Sequence, residues 1–475
     1  MVMGELAEGT QVAIIGGGPA GYVCALRLAQ LGKQVTVIEK EGLGGLCLLH
    51  GCIPSKALIR VADLASDIRE SNELGLNAQI NSLDFQKAQE WKNKVVSQLN
   101  NGTKSLCKIA GVQVIYGKAF FESAQQLLIV TETGASALNF EQVVIATGSL
   151  PFSTSDLPID RQKIITSREA LDLTSIPKSM AVIGGGYVGV ELAEVYAKLG
   201  CKVSMVVRGT LLSSIDLDAA NAVEKRLKEL GIEIYSHTTT NGYSVNASNN
   251  VLLNIISDGK SGTIEVEKVL VSIGHKPFTS ELHLDKAGVL LDEEGFVKIN
   301  SKLQTNVPNI YAIGDVCSKP MLAHKAYRQA KVAAEVIAGR DVVYDNLTVP
   351  AVMFSEPEVA YVGMQESEAK KLGKQVIVGK FPHSALGKGI IAGNPVGFVK
   401  LIADPDSHAL LGALIVGPEA SSCITEPTLA IEAGLLLEDI AHTIHTHPTM
   451  GEAIGEAAEV ALGQAVHMPM KKKTV

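Results

Sequence analysis

Residues 11–40, QVAIIGGGPAGYVCALRLAQLGKQVTVIEK, change their hydrophobic period twice. An apolar run at Val12–Ile15 reads as a buried parallel strand. A stretch with small residues at helical spacing follows, and a β-branched run ending at Glu39 closes the segment. Residues 180–208, MAVIGGGYVGVELAEVYAKLGCKVSMVVR, repeat the pattern. Gly16, Gly18 and Gly21 align without gaps on Gly184, Gly186 and Gly189, and Gly32 aligns on Gly200. The periodicity therefore predicts two β-α-β units, each turning from strand to helix through G-x-G-x-x-G.

Each glycine has its own task at that spacing. Gly16 or Gly184 permits the tight turn, and Gly18 or Gly186 lets a pyrophosphate approach the backbone. Gly21 or Gly189 lets helix and strand pack closely. The phosphates then sit at a helix amino terminus, where free N–H groups and the helix dipole favour anions. The copies differ at the end of the second strand. Glu39 is placed to accept hydrogen bonds from the hydroxyls of an adenosine ribose without a 2′-phosphate, as in FAD. Its counterpart is Val207, followed by Arg208, so the second copy lacks the acidic selector for NAD. Arg208 is read either as a partner for the 2′-phosphate of NADP or as a surface charge at a strand end.

Composition narrows the classes. A chain of 475 residues, 46% hydrophobic and 19% charged, is globular and long enough for about three domains. Its 45 glycines beside 4% aromatic residues, with Trp91 the single tryptophan, suit nucleotide-binding turns better than a β-sandwich. A net charge of −8 offers no basic excess for nucleic acid. No apolar run approaches the roughly 18 residues of a membrane-spanning helix, and Met1–Glu5 lacks the features of a signal peptide. The Lys471–Lys473 tail reads as a solvated end. Seven cysteines are too few and too odd in number for a secreted disulfide scaffold, so a cytoplasmic setting is expected.

Two of those cysteines, Cys47 and Cys52, lie five apart in EGLGGLCLLHGCIPSKALI, across a glycine-rich turn entering a helix. No second ligand pair matches them, so no metal site is expected. A redox disulfide beside a dinucleotide fold is the better chemical reading, with two inert buried thiols as the alternative. Cys24, Cys107, Cys201, Cys317 and Cys423 have no evident partner and are read as bystanders.

These motifs resemble the flavoprotein disulfide reductases, and within them the branch that oxidises dihydrolipoamide. The resemblance covers nearly the whole chain beyond its first ten residues. It rests on GGGPAG with Glu39, GGLCLLHGCIPSKAL, VVIATGS at Val143–Ser149, GGGYVGVE, NIYAIGDV at Asn309–Val316, MLAHKA at Met321–Ala326 and HTHPTMGEA at His445–Ala453. It implies an α/β chain with two Rossmann-like dinucleotide-binding domains and an α+β dimerisation domain. The FAD-binding domain would be discontinuous, 1–149 with 277–346. The NAD(P)-binding domain would span 150–276 and the interface domain 347–475.

By the same resemblance Cys47 is the interchange thiol and Cys52 lies against the flavin. His447 is the base, and Glu452 orients its ring. Lys56 and Glu191 form a pair near the flavin; alone, they would read as a helix-surface lysine and a first-turn acid. Asp315 contacts the ribityl or pyrophosphate region, though its position also suits a helix N-cap. Tyr187 is a candidate gate over the nicotinamide, and Gly148 and Gly274 join the cofactor-binding set. His442 and His445 are read as ordinary residues. A homodimer is implied, because His447 and Glu452 of one subunit serve the cysteine pair of the other. The implied partners are lipoyl domains of a 2-oxo acid dehydrogenase or glycine cleavage complex.

The sequence departs from the family at Leu46, Leu48-Leu49-His50, Val207-Arg208 and His275-Lys276. His50 either lowers a thiol pKa or faces solvent. NAD is the expected acceptor, with NADP left open by Val207-Arg208. Two other readings stand beside the main one: an NADPH-dependent reductase of another small disulfide, and a redox-silent scaffold subunit of a lipoyl complex.

Overall fold

The computed structural model describes residues 8–393 and 395–469. The readings of Met1–Glu5 and of Lys471–Lys473 lie outside the described residues. The first repeat forms strand β1 (Glu8–Ile15), helix α1 (Pro19–Gln30) and strand β2 (Val35–Glu39). Strand β1 pairs in parallel with β2, Val12 opposite Val35 and Ile14 opposite Val37. Every residue of β2 is buried, which explains an apolar run in place of an alternation. Helix α1 buries Ala20, Gly21, Cys24, Ala25 and Leu28, the stripe its small residues predict.

The sheet containing β1 also takes strands from distant parts of the chain. The long strand Gly134–Ile145 pairs in parallel with β1, and Ile310–Ala312 pairs in parallel with Gly134–Ile145. An antiparallel extension, Lys118–Ser123 with Gln126–Thr131, completes it on one side. The carboxyl ends of β1, β2, Gly134–Ile145 and Ile310–Ala312 therefore share one edge. That edge carries Gly16, Glu39, Gly148 and Asp315, the position where open parallel sheets bind ligands.

The second repeat builds a separate five-stranded parallel sheet around Ser179–Ile183. Lys202–Val206 lies on one side of that strand and Lys268–Val271 on the other, so Gly184, Val207, Arg208 and Gly274 share its carboxyl edge. Helix Tyr187–Lys198 buries nine of its twelve residues, with Glu191, Glu194 and Lys198 among them. A meander from Thr238 to Val266 packs beside this sheet. Two short antiparallel strands, Ser149–Pro151 and His275–Pro277, connect the sheets.

The carboxyl-terminal part is a five-stranded antiparallel sheet running from Ala351 to Val416, with helices after it. Helix Glu452–Leu462 packs on its strands Ile377–Pro382 and Phe398–Ala403. Among the described residues, no helix is long and apolar enough to cross a membrane.

Candidate active site

The two glycine loops have matching geometry. A Cβ on Gly16 would strike the Ala146 carbonyl, and one on Gly184 would strike the Ser272 carbonyl. Both residues sit at positive φ, +104° and +115°, so side chains are excluded twice over. A Cβ on Gly21 would overlap the Gly16 oxygen, and one on Gly189 would lie 2.9 Å from the Gly184 oxygen. Gly18 and Gly186 are the N-cap residues of their helices, and neither helix has a side-chain cap. The first-turn N–H groups are thus left for a ligand, as pyrophosphate binding requires. Gly148 and Gly274 also adopt positive φ at these edges.

Glu39 is buried beneath the first loop. Its carboxylate accepts from the Gly17 amide at 2.6 Å and the Glu41 amide at 2.7 Å. A cleft opens there, lined by Gly16, Glu39, Lys40, Thr147 and Phe278 among others. A carboxylate fixed by backbone amides at the mouth of a cleft fits the ribose end of FAD, as the uncapped helix fits its pyrophosphate.

Cys47 and Cys52 are joined in a disulfide, with Cα atoms 4.7 Å apart. Cys47 lies in a single π turn, Leu46–His50, and Cys52 is the first residue of helix α2 (Cys52–Glu70). Of the two readings left open for this pair, inert thiols are therefore excluded. The thiolate that reduction leaves at Cys52 would sit at the positive end of a 19-residue helix, which favours it over the thiol. Cys24, Cys107, Cys201, Cys317 and Cys423 are free. Burial pushes the Cys317 thiol up to about 11, away from nucleophilic use.

His50 does not simply face solvent. Its Nε2 lies 3.1 Å from Glu41, which also binds Arg168 at 3.0 Å. Burial and the nearby Arg168 push His50 below its ordinary value. The trio ties the disulfide turn to the short helix Ser167–Leu171 of the second unit.

One turn along α2, Lys56 Nζ meets Glu191 Oε2 at 2.8 Å. Glu191 is not the first-turn acid that its sequence suggested. It is the fifth residue of helix Tyr187–Lys198, its side chain is 4% exposed, and its second oxygen accepts the Phe354 amide at 2.9 Å. Lys56 also lies 4.5 Å from the centre of the Phe354 ring. Phe354 had no sequence signal, because its role exists only once residues 56, 191 and 354 meet. Tyr187 is exposed at the first position of the same helix.

Asp315 lies within the 3₁₀ turn Gly314–Val316 and does not cap a helix. Ser149 Oγ donates to it at 3.0 Å and also meets His275 Nδ1 at 3.2 Å. Burial pushes Asp315 up and His275 down. Ser149 closes the VVIATGS run, so its position was visible in the sequence although its partner was not.

His447 Nδ1 meets Glu452 Oε1 at 2.7 Å, and the Thr449 amide donates to the other carboxylate oxygen at 2.8 Å. Burial pushes Glu452 up, but the Thr449 amide and the His447 ring outweigh it and hold the carboxylate low. The His447 side chain is 77% exposed, which leaves Nε2 facing outward. His445 instead bonds Glu426 at 3.0 Å and the Thr443 carbonyl, a structural pairing. Among the described residues, no hydrogen bond joins His447 or Glu452 to the disulfide turn of their own chain. Helix Glu452–Leu462 packs on the antiparallel sheet, whereas the turn packs on α2 and on helices Phe85–Ile109 and Ser167–Leu171.

The family described as pyridine nucleotide-disulphide oxidoreductase matches residues 10–330, and its dimerisation domain matches 349–458. The chain is 42% identical to the dihydrolipoyl dehydrogenase of Geobacillus stearothermophilus, over 99% of this chain and 100% of that one. It is 42% identical to the Halobacterium salinarum dihydrolipoyl dehydrogenase, over 98% of this chain and 99% of that one. Among solved structures it matches LpdA of Mycobacterium tuberculosis at a TM-score of 0.88 and 27% identity. It also matches the HOCl-induced flavoprotein disulfide reductase RclA of Escherichia coli at 0.84 and 27% identity. Each match covers 95% of this chain and 99% of the other.

Proposed function

The chain belongs to the pyridine nucleotide-disulphide oxidoreductase family, and we propose from that premise that it oxidises protein-bound dihydrolipoamide to lipoamide with NAD as acceptor. The observation that carries the proposal is the Cys47–Cys52 disulfide at the head of α2, one helical turn from the Lys56–Glu191 link to the second dinucleotide unit.

His447 Nε2 of one subunit takes the proton from a dihydrolipoamide thiol, while Glu452 holds the opposite ring nitrogen and stabilises the imidazolium. The substrate thiolate attacks Cys47, and the sulfur of Cys52 leaves as a thiolate favoured by the amino terminus of α2. The second substrate thiol, its proton passing to solvent, then closes on the first sulfur and releases lipoamide, while Cys47 leaves as a thiol with the proton held by His447. One dithiol has become a disulfide, and the protein's disulfide has become a thiol and a thiolate. FAD, when bound, supplies the two-electron relay from these sulfurs to the nicotinamide. Gly16, Gly18, Gly21 and Glu39 would hold its adenosine end, and Gly148 and Asp315 its middle. Lys56, fixed by Glu191, would place a positive charge on the flavin wall. Gly184, Gly186, Gly189 and Gly274 would receive the nicotinamide nucleotide, with Tyr187 at its entrance.

The working form is a homodimer, consistent with the dimerisation domain. The proposed division is 1–149 with 277–346 for FAD, 150–276 for the nucleotide and 347–475 for the interface. The lipoyl group is expected from a 2-oxo acid dehydrogenase or glycine cleavage complex in the cytoplasm. Steady-state rates with dihydrolipoamide, and with lipoamide against glutathione disulfide in reverse, test the assignment. Lipoamide is expected to react far faster, and Cys47→Ser to abolish the rate. A lipoamide rate no higher than that of unrelated disulfides overturns the proposal.

A further inference from the structure

The protein contains its own control for nucleotide selection, because the two glycine loops carry equivalent backbone hydrogen bonds. In the first, the Gly16 amide bonds Ile38, the Ala146 amide bonds Ile15, and the Gly44 amide folds back to the Gly17 carbonyl. In the second, the Gly184 amide bonds Val206, the Ser272 amide bonds Ile183, and the Leu212 amide folds back to the Gly185 carbonyl. Glu39 and Val207 therefore occupy the same place. A Cβ on Gly17 would lie 3.1 Å from Glu39 Oε2, and one on Gly185 would lie 2.7 Å from Val207 Cγ1.

The electrostatic content of that place is opposite in the two copies. At Glu39 a fixed carboxylate accepts ribose hydroxyls and repels a 2′-phosphate. At Val207 a buried aliphatic side chain offers neither. The next residue, Arg208, is exposed on the loop that folds back over Gly185. It forms no hydrogen bond or ion pair among the described residues, so its guanidinium is available to a ligand. The hydroxyls of Thr210, Ser213 and Ser214 are exposed along the same short loop. A guanidinium with hydroxyls beside it, and no carboxylate at the ribose position, is the chemistry that accepts a 2′-phosphate.

We propose that the second loop accepts the 2′-phosphorylated nucleotide, with Arg208 as its phosphate partner, so that the enzyme uses NADP alongside NAD. The inference rests on the proposed dehydrogenase reading and changes only its acceptor.

Equilibrium binding of NAD and NADP to the flavin-loaded dimer, followed by tryptophan and flavin fluorescence, gives the test. The NADP dissociation constant is expected within about tenfold of that for NAD, the worth of one charge-assisted contact. Arg208→Ala is expected to raise the NADP-to-NAD ratio of dissociation constants by about tenfold or more, and Val207→Glu to raise it further by placing a carboxylate where Glu39 stands in the first copy. A wild-type ratio above about a hundred overturns the proposal, as does a ratio that Arg208→Ala leaves unchanged. The long-wavelength thiolate–flavin band that dihydrolipoamide raises is read separately, before any nucleotide. A band that forms while NADP fails to bind refutes the acceptor and leaves the dithiol chemistry standing. Absence of the band, with the flavin unreduced, refutes the dehydrogenase reading itself.

Discussion

If His447 serves the cysteine pair of the other subunit, two inactive chains must make one active dimer. Consider a heterodimer of a Cys47→Ser chain and a His447→Gln chain, purified through a different tag on each. Glu452 begins the helix that packs on the antiparallel sheet, and the disulfide turn lies on α2 with no bond to the His447–Glu452 pair among the described residues of its own chain. With sites shared across the dimer, one site collects both lesions and the other collects neither. The heterodimer then runs at about half the wild-type rate per dimer, since two-fold symmetry makes the sites equivalent. With sites formed inside one chain, each site carries one lesion. The rate then falls to the residual level of the homodimers, about 10²- to 10⁴-fold down for loss of a general base. Dihydrolipoamide oxidation by the doubly tagged dimer separates the cases without ambiguity of scale. A heterodimer no faster than the His447→Gln homodimer refutes the shared site.

Glu452→Gln leaves one amide oxygen where two carboxylate oxygens serve His447 and Thr449, and loss of that charge-assisted contact is expected to lower kcat for dihydrolipoamide by about ten- to a hundredfold. An unchanged kcat refutes the orienting role. Lys56→Met leaves a buried Glu191 carboxylate with the Phe354 amide alone, at a cost of about 2 kcal/mol once the partial exposure of Lys56 is discounted. Thermal unfolding should show Lys56→Met with Glu191→Gln losing less than Lys56→Met alone; equal losses refute the coupling. His383 is fully buried, neither ring nitrogen has a hydrogen-bond partner among the described residues, and burial lowers it from 6.5 to about 4. Between those values the unfolded chain binds a proton that the folded chain refuses, so stability falls with acidification, by about 2 kcal/mol from pH 7 to pH 5. His383→Leu should remove that part of the acid sensitivity in denaturant unfolding at the two pH values, and an unaltered difference between pH 7 and pH 5 refutes it.

The features legible in the sequence are those whose chemistry is complete within a few residues. Gly16 and Gly21 are forced by a turn and a helix that begin beside them, so their spacing announces them. Cys47 and Cys52 declare themselves through a short separation and a helix start. Glu191 shows the opposite case: its local position suggests a surface acid, and its burial depends on Lys56 and Phe354, 135 and 163 residues away. Asp315 reads as a cap until Ser149 reaches it from another strand. His50 was undecidable because Arg168, which fixes Glu41, sits 127 residues from that carboxylate. Long-range polar partners leave no periodicity, and the hydrophobic pattern is silent about them.

The buried face of helix Tyr187–Lys198 has a consequence for the evolution of the chain. Lys198 binds Asp63 of α2 and Glu356 of the carboxyl-terminal part, each at 2.7 Å, and Glu194 accepts the Glu356 amide. A nucleotide unit cut out at its sequence borders would carry Glu191, Glu194 and Lys198 into solvent without these partners. The repeat has the form of a module duplicated and free to be exchanged, yet its helix has been written into two neighbours. Recombination that swaps this unit for one of different nucleotide preference must carry compatible residues at 56, 63 and 356. Change by point substitution at the strand end, where Val207 and Arg208 stand apart from that seam, meets no such barrier.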